Sequence, residues 1–457
     1  MSAVTETAVP TLHDHVSDLI ARHFCVSQGE LQIGGLPVGD LVRQFGSPLY
    51  IYDLEIARQQ YRALRATLPA NFEICFSVKA NPNQALLRTF VALGCGLEIA
   101  SSGELHQALA AGCAAEKILF AGPGKTEQEL ELAIVQGIGE IHVESRTEAL
   151  RVARIAGQQN RRVNISLRVN PAAAVEGGGM RMGAKAVPFG IDEDQLDCLL
   201  DELLPNPALQ IVGLHLFVGT QILDHTVLLR QYRAGLEIAR HLQLRLGRPL
   251  QTIDLGGGLG VPYFPHEARL DLAPLQVGLA TWMEEVAAAG DFSRVRFIVE
   301  PGRFLAAEAG IYVSQVTDVK NSRGKKFAIV DGGMHHQLAA SGNLGQTIKR
   351  NFPVAVLNKL DQATADTADI VGPLCTPLDV LARALPVPAI EIGDLVGVFL
   401  SGAYGRSASP LGFLSRQAPP EIVVDAGQAI LSRTRGSDHD YLADQLQVES
   451  KVGHAFH

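Results

Sequence analysis

Lys79, Glu98, Arg168, His215, Glu300 and Arg303 share one trait: each polar side chain stands at or near the end of a short apolar run. A lysine desolvated at the end of a buried strand is a nucleophile for an aldehyde, because burial lowers its pKa. The plain alternative is a lysine that simply reaches solvent. The run GGGLG at 256–260 offers a second kind of chemistry. Gly256, Gly257 and Gly258 allow backbone N–H groups to approach a phosphate with no side chain between them, although a tight turn accounts for the glycines equally well. Glu300, in the sequence EPGR, is a carboxylate able to pair with a cationic ring nitrogen. Arg303, three residues on, is placed to meet an anion; taken alone, EPGR reads as an ordinary strand-end ion pair.

Such residues work together only if the fold brings their strands together. Apolar, β-branched runs occur at 72–80, 95–101, 117–123, 140–145, 162–171, 211–220, 252–258 and 296–302. Stretches with helical spacing lie between them, among them ELHQALAAG, TEQELELAIVQG, RTEALRVARIAG and LLRQYRAGLEIARHLQ. The alternation predicts a parallel (β/α)8 barrel, and near-continuous runs suit strands covered on both sides. An open doubly wound sheet is the alternative, but GGGLG lacks the G-x-G-x-x-G spacing. In a barrel, Lys79 ends the first strand, Glu98 lies late in the second and Arg168 ends the fifth. His215 and Thr220 lie on the sixth, Gly256 to Gly258 follow the seventh, and Glu300 and Arg303 end the eighth.

After residue 310 the pattern changes to strand-like runs joined by Gly, Pro and Asn turns, which predicts a mainly antiparallel β domain. The segment 29–53 reads as short strands plus a helix, so the β domain is expected to draw on both chain ends. The expected division is 1–53, an N-terminal contribution to the β domain; 54–308, the barrel; and 309–457, the rest of the β domain. The Gly-rich segment 172–188, after the fifth strand, is a candidate mobile active-site loop.

Composition narrows the classes. The chain has 457 residues, 47% hydrophobic and 19% charged, with a net charge of −9. That gives no electrostatic reason to expect nucleic acid or an anionic membrane as partner. No apolar run is long enough to span a bilayer, and the N-terminus lacks the basic and apolar regions of a signal peptide. Six scattered cysteines without a C-x-x-C pair predict reduced thiols in the cytoplasm rather than disulfides or a zinc site.

Taken together, the motifs resemble the fold-type III PLP-dependent decarboxylases, the family of diaminopimelate and ornithine decarboxylases. FSVKANPN, GLHLFVGTQ, GGGLG, EPGR, GPLCTPLD and GAYG follow one another in the family's order. The resemblance implies pyridoxal 5'-phosphate held as a Schiff base on Lys79, with Glu300 on the pyridine nitrogen. Arg303, Gly302 and Tyr404 would stand beside the phosphate, and Glu98, Arg168, His215, Phe217 and Thr220 around the cofactor. It implies decarboxylation through an external aldimine and a quinonoid carbanion, with Cys375 returning the proton to Cα. It further implies a homodimer whose cysteine loop, carrying Cys375, Thr376 and Asp379, reaches into the partner's barrel. Without that loop context, Cys375 reads as a small apolar side chain.

Departures from the family narrow the substrate. Phe217 stands where the familiar enzymes place a histidine against the ring. Thr376 replaces the acidic residue that meets a distal amine, and DGGMHHQLAASGNLGQTIKRN lacks the arginine that meets a distal carboxylate. An unpaired charge on a buried substrate is costly. Free diaminopimelate, ornithine and lysine are therefore not the expected substrates. MRMGAKAVPFGID and VDGGMHHQLAASG resemble a divergent branch that includes exosortase-associated and L-glutamyl-carrier-protein decarboxylases. A carrier-bound aminoacyl group or another conjugate in specialised biosynthesis is the expected substrate. The other readings are a diaminopimelate decarboxylase, a PLP-dependent racemase, a non-catalytic PLP-binding barrel and a Schiff-base aldolase. His335 and His336 are adjacent; on a strand they point to opposite faces, so a substrate-pocket or structural role is expected and no metal.

Overall fold

A computed structural model describes residues 11–172, 180–181, 186–217, 219–290 and 292–446. The eight expected runs form eight parallel strands: β1 Phe72–Ser77, β2 Gly96–Ile99, β3 Ile118–Phe120, β4 Glu140–Val143, β5 Val163–Asn170, β6 Leu209–His215, β7 Thr252–Asp254 and β8 Arg296–Val299. Each pairs with the next, and β8 pairs with β1, so the sheet closes on itself. β2 and β4 are buried at every position, as strands inside a ring of helices must be.

The outer helices start where the sequence supplies a cap. Ser101, Ser145, Asp224 and Asp271 each accept a hydrogen bond from a first-turn N–H, and Thr126 with Glu129 forms a capping box. The expected helices appear as Ser102–Ala110, Glu127–Gln136, Arg146–Gln158 and His225–Leu246.

The second sheet runs in the order Val380–Val387, Asp366–Val371, Lys325–Val330, Gly310–Ser322, Leu49–Asp53, Glu421–Asp425, Gln428–Arg433, with Leu395–Val398 branching from Gly310–Ser322 and Val354–Val356 pairing with that branch. It is mainly antiparallel; two pairings, one of them Leu49–Asp53 with Glu421–Asp425, are parallel. It is built from both chain ends, as expected. The junction with the barrel is a single residue: Asp53 ends its strand and caps the helix Leu54–Thr67 through Glu55 and Ile56 N–H.

The structure corrects the expected elements in five places. Lys79 is not on β1 but in the one-turn 3-10 helix Val78–Ala80 that follows it. The sixth run breaks after His215, so Thr220 lies in a separate two-residue strand paired with Met180–Arg181. Of 29–53, only Leu49–Asp53 joins the large sheet; Glu30–Ile33 and Leu36–Pro37 form a small sheet with Cys25–Ser27. The helix Leu12–His23 was not anticipated. His335 and His336 sit in a turn rather than a strand, and their rings lie 3.7 Å apart, centroid to centroid. Most of the candidate loop 172–188 lies outside the described residues.

Candidate active site

Polar side chains converge at the C-terminal ends of the barrel strands, where barrels of this kind place their chemistry. Lys79 Nζ donates to both carboxylate oxygens of Glu98, at 2.9 and 2.8 Å. Glu98, within β2, is buried, whereas the Lys79 side chain is 46% exposed. The pair is thus anchored from below and open above. Burial works to lower the Lys79 pKa, but Glu98, and after it Tyr404 and Glu300, outweigh burial and raise it. The expectation of a lysine made neutral by desolvation is therefore corrected: beside Glu98 the amine is held as ammonium.

Deeper along the barrel axis lies a group of four side chains from four strand ends. They are His142 from β4, His215 from β6, Asp254 from β7 and Glu300 just beyond β8. All four are buried, and their facing polar atoms lie within 4.8 Å of one another. Their approaches are long for hydrogen bonds: His215 Nε2 to Glu300 at 3.5 Å, His142 Nε2 to Asp254 at 3.8 Å and His142 Nδ1 to Glu300 at 3.9 Å. Burial, then His215, pushes the His142 pKa well down; burial, then Arg168, does the same to His215. Both shifts favour the neutral imidazole.

Arg168 donates to Glu144 at 2.7 Å and lies over the rings of Phe189 and Phe217, at 5.1 and 5.8 Å from their centroids. Phe217 is half-buried. The turn after β7 is tight: Gly256 and Gly258 have φ of +71° and +96°, and a Cβ on Gly257 would stand 2.7 Å from the Glu300 carbonyl oxygen. Thr220 is half-buried, and its neighbour Gly219 packs on Gly258. Arg303 donates to Tyr263 Oη at 3.0 Å and is flanked by the Tyr263 and Tyr404 rings, 5.2 and 4.6 Å to centroid. Gly302 is close-packed: a Cβ there would come within 2.8 Å of Ala80 Cβ in the Lys79 turn. Tyr404 N–H donates to Ala80 O at 2.8 Å, which ties the β domain to the same turn.

The other candidate residues form a second group in the β domain. Cys375 is an exposed free thiol and Thr376, beside it, is half-buried. The Asp379 carboxylate accepts from Met334 N–H at 2.6 Å and Leu374 N–H at 2.9 Å, wedged against Gly333 and Gly372. Asp379 thus holds the cysteine loop's backbone, and its two oxygens are spent there. His336 is bound on both nitrogens, to Tyr312 Oη and Gln417 O, each at 3.1 Å. His335 has neither ring nitrogen bonded, and burial and Arg416 lower its pKa to about 4. Among the described residues, no hydrogen bond or ion pair joins this group to Lys79.

Sequence reasoning missed His142, Glu144, Asp254, Lys125 and Tyr263. Lys125 is almost fully buried and donates to Glu148 at 2.6 Å and to Gly122 O and His142 O at 2.7 Å. The signal for His142, Glu144 and Asp254 was present: each is a polar residue at the end of an apolar run, in EIHVES and TIDLGGG. A cavity of about 490 Å³ lies at the opposite, N-terminal end of the strands, lined by residues such as Glu73, Glu140, Gln251 and Arg296. Among the residues that line it, none is Lys79 or Arg303.

The model of the family described as "Pyridoxal-dependent decarboxylase, pyridoxal binding domain" matches residues 54–307. The chain is 38% identical over 415 residues to the L-glutamyl-[BtrI acyl-carrier protein] decarboxylase of Niallia circulans, covering 90% of this chain and 96% of that one. It is 31% identical over 432 residues to the diaminopimelate decarboxylase of Zymomonas mobilis, covering 93% and 99%. The crystal structure of M. jannaschii diaminopimelate decarboxylase in co-complex with L-lysine superposes with a TM-score of 0.84 at 25% identity, covering 93% of this chain and 98% of that one.

Proposed function

The chain belongs to the pyridoxal-dependent decarboxylases, and from that premise we propose that it is a PLP-dependent carboxy-lyase acting on an amino acid presented as a carrier-bound or otherwise conjugated group in specialised biosynthesis. The observation that carries the reading is the placement of Lys79 and Glu300. They lie just beyond the ends of the adjacent strands β1 and β8, one with its side chain half-exposed, the other with carboxylate Oε1 unpartnered. Pyridoxal phosphate fits this donor set. Arg303, whose Nε is unpartnered, and the turn Gly256–Gly258 would hold its phosphate, Glu300 would face its ring nitrogen, and Lys79 its aldehyde carbon. When bound, the cofactor supplies an electron sink for the bond broken at Cα.

The chain's own residues do the rest. Lys79 must leave Glu98 and lose a proton to act as nucleophile, and the buried Glu98 is the acceptor nearest to it. Glu300 would hold a proton on the ring nitrogen, because a carboxylate at that place favours the charged form. Phe217 supplies an apolar wall without a titratable group, and Arg168, fixed by Glu144, supports that wall by lying over its ring. Cys375 returns a proton to Cα; its exposure in one chain is consistent with a homodimer in which the cysteine loop enters the partner's barrel. A cytoplasmic setting suits the free thiols. Among the described residues, no helix is long and apolar enough to cross a membrane.

Thr376 supports a conjugated substrate, since it offers no charge to a free distal amine. The 38% identity to a carrier-protein decarboxylase points the same way. The test is CO2 release by the PLP-loaded protein from glutamate on a carrier protein, against free diaminopimelate, ornithine, lysine, arginine and glutamate, with Lys79→Ala as blank. Release from the carrier-bound substrate alone is the expected result. Efficient release from free diaminopimelate would establish the diaminopimelate reading in its place.

A further inference from the structure

We propose that Asp254 is a positioning residue of the site: it carries a proton shared by the four-residue cluster on the barrel axis, and so keeps Glu300 the ionised carboxylate that faces the ring nitrogen. The inference rests on the cofactor reading above but concerns residues to which that reading gives no role.

The argument begins from orphaned atoms. Six buried polar atoms have no hydrogen-bond partner: both ring nitrogens of His142 and of His215, Oδ2 of Asp254 and Oε1 of Glu300. They belong to four side chains whose facing atoms lie within 4.8 Å of one another. Buried polar groups left unpaired are rare, and a group of six at one place calls for a shared cause. With two carboxylates ionised and two imidazoles neutral, the cluster would hold two negative charges in a water-poor interior. Two carboxylates at such a distance do not both ionise readily. One proton between them removes the conflict.

Its location follows from surroundings. Asp254 is 0% exposed and Glu300 is 5% exposed. Asp254 Oδ1 accepts from Gly256 N–H at 2.8 Å, which leaves Oδ2, facing His142 Nε2, to bear the hydrogen. Burial, then the Glu300 charge, pushes the Asp254 carboxyl well above the usual carboxylate range. The charged and titratable groups packed around the cluster agree. Lys79, Arg168 and Lys125 act on the two histidines, and Lys79 also on Glu300, while Asp254 faces Glu300, Glu140 and Cys75, with Glu98 already committed to Lys79. The charges that reach Asp254 are thus negative ones, which disfavour a second carboxylate there. Among the described residues, this is also the one group with a metal-like donor set. A tetrahedral ion with bonds of about 2.0–2.1 Å needs ligand atoms about 3.3–3.5 Å apart. The spacings here are 3.5, 3.8 and 3.9 Å, and an ion would take Glu300 from the ring nitrogen. A proton fits better.

The test is isotope-edited infrared spectroscopy of the holoenzyme at neutral pH, with metal analysis of the same sample. With isotope-labelled aspartate and isotope-labelled glutamate in turn, the expected result is a protonated-carboxyl band that shifts with the aspartate label alone and is lost in Asp254→Asn, with no stoichiometric metal. A band that shifts with the glutamate label instead, no band in the wild type, or a stoichiometric divalent ion would each overturn the proposal. This readout needs no turnover, so failure of the substrate assay is separable from failure here. In kinetics, Asp254→Asn keeps a hydrogen-bond donor and Asp254→Leu does not. The Leu variant is expected to have a kcat about tenfold below the Asn variant, with KM little changed. Equal kcat values in two folded variants would overturn the positioning role.

Discussion

Replacing Lys125 with methionine tests the support behind the axial cluster. The Lys125 side chain is 1% exposed and the Glu148 side chain 5% exposed, so neither charge is screened by water. The ammonium uses all three hydrogens, on Glu148 Oε1, Gly122 O and His142 O. Methionine matches the length of the stem but offers no donor. Glu148 would be left with one partner, the Glu144 N–H at 3.0 Å, and a buried charge without a counter-ion. Breaking a buried pair by removing one partner costs about 3–5 kcal/mol, whereas replacing both partners is far milder. The expected loss for Lys125→Met is therefore about 3–5 kcal/mol in urea unfolding followed by far-ultraviolet circular dichroism. Lys125→Met/Glu148→Gln should recover at least about 1 kcal/mol of it. A single-variant loss below about 1 kcal/mol, or a double variant as unstable as the sum of the two singles, would refute the reasoning.

Other outcomes follow from neighbouring features. Burial and Arg416 hold His335 at about 4, below its ordinary 6.5. Below pH 6.5 the unfolded chain therefore takes up a proton that the folded one refuses, and stability falls as pH falls toward 4. Between pH 7 and pH 5 this amounts to about 2 kcal/mol; the urea-unfolding free energies of wild type and His335→Gln should diverge by that amount, and a parallel pH dependence would refute it. Arg303→Ala should weaken PLP binding by about tenfold or more, measured by visible absorbance on reconstitution, because a charge-assisted contact is lost; unchanged affinity would place the phosphate elsewhere. Gly257→Ala forces a Cβ against the Glu300 carbonyl and should lower both PLP affinity and thermal stability, by about 1–3 kcal/mol in stability. Wild-type melting of that variant would show that the turn yields.

The barrel was legible because its strands are buried on both faces and read as continuous apolar runs, broken where a helix cap or a glycine turn intervenes. The same apolar continuity concealed local breaks. The run 211–220 looks unbroken, yet β6 ends at His215 and Gly219–Thr220 pair elsewhere, with Met180–Arg181. Lys79 was recognisable as a strand-end lysine, but its charge state depends on Glu98, 19 residues away and one strand over. Sequence periodicity carries no information about such a partner. His142 and Asp254 were overlooked for a related reason: each is a polar residue within a buried strand, and only closure of the barrel turns both toward one point. Asp379 shows the converse case. It lies within a recognisable motif, but its carboxylate is spent on backbone N–H groups that only tertiary folding brings near.

The strand Leu49–Asp53 lies between Gly310–Ser322 and Glu421–Asp425, with the entire barrel intervening in the chain. As a nascent chain leaves the ribosome, the barrel can close once β8 has emerged. Leu49–Asp53 must by then wait with at least one ladder edge unfilled, until Glu421–Asp425 is synthesised. An edge of this kind, LYIYD, is apolar and free of proline, the composition that invites pairing with other chains. Truncation before residue 421 would make that exposure permanent. The last stretch of the β domain thus acts as the closing seam of folding, and the yield of soluble protein depends on it more than its distance from Lys79 would suggest.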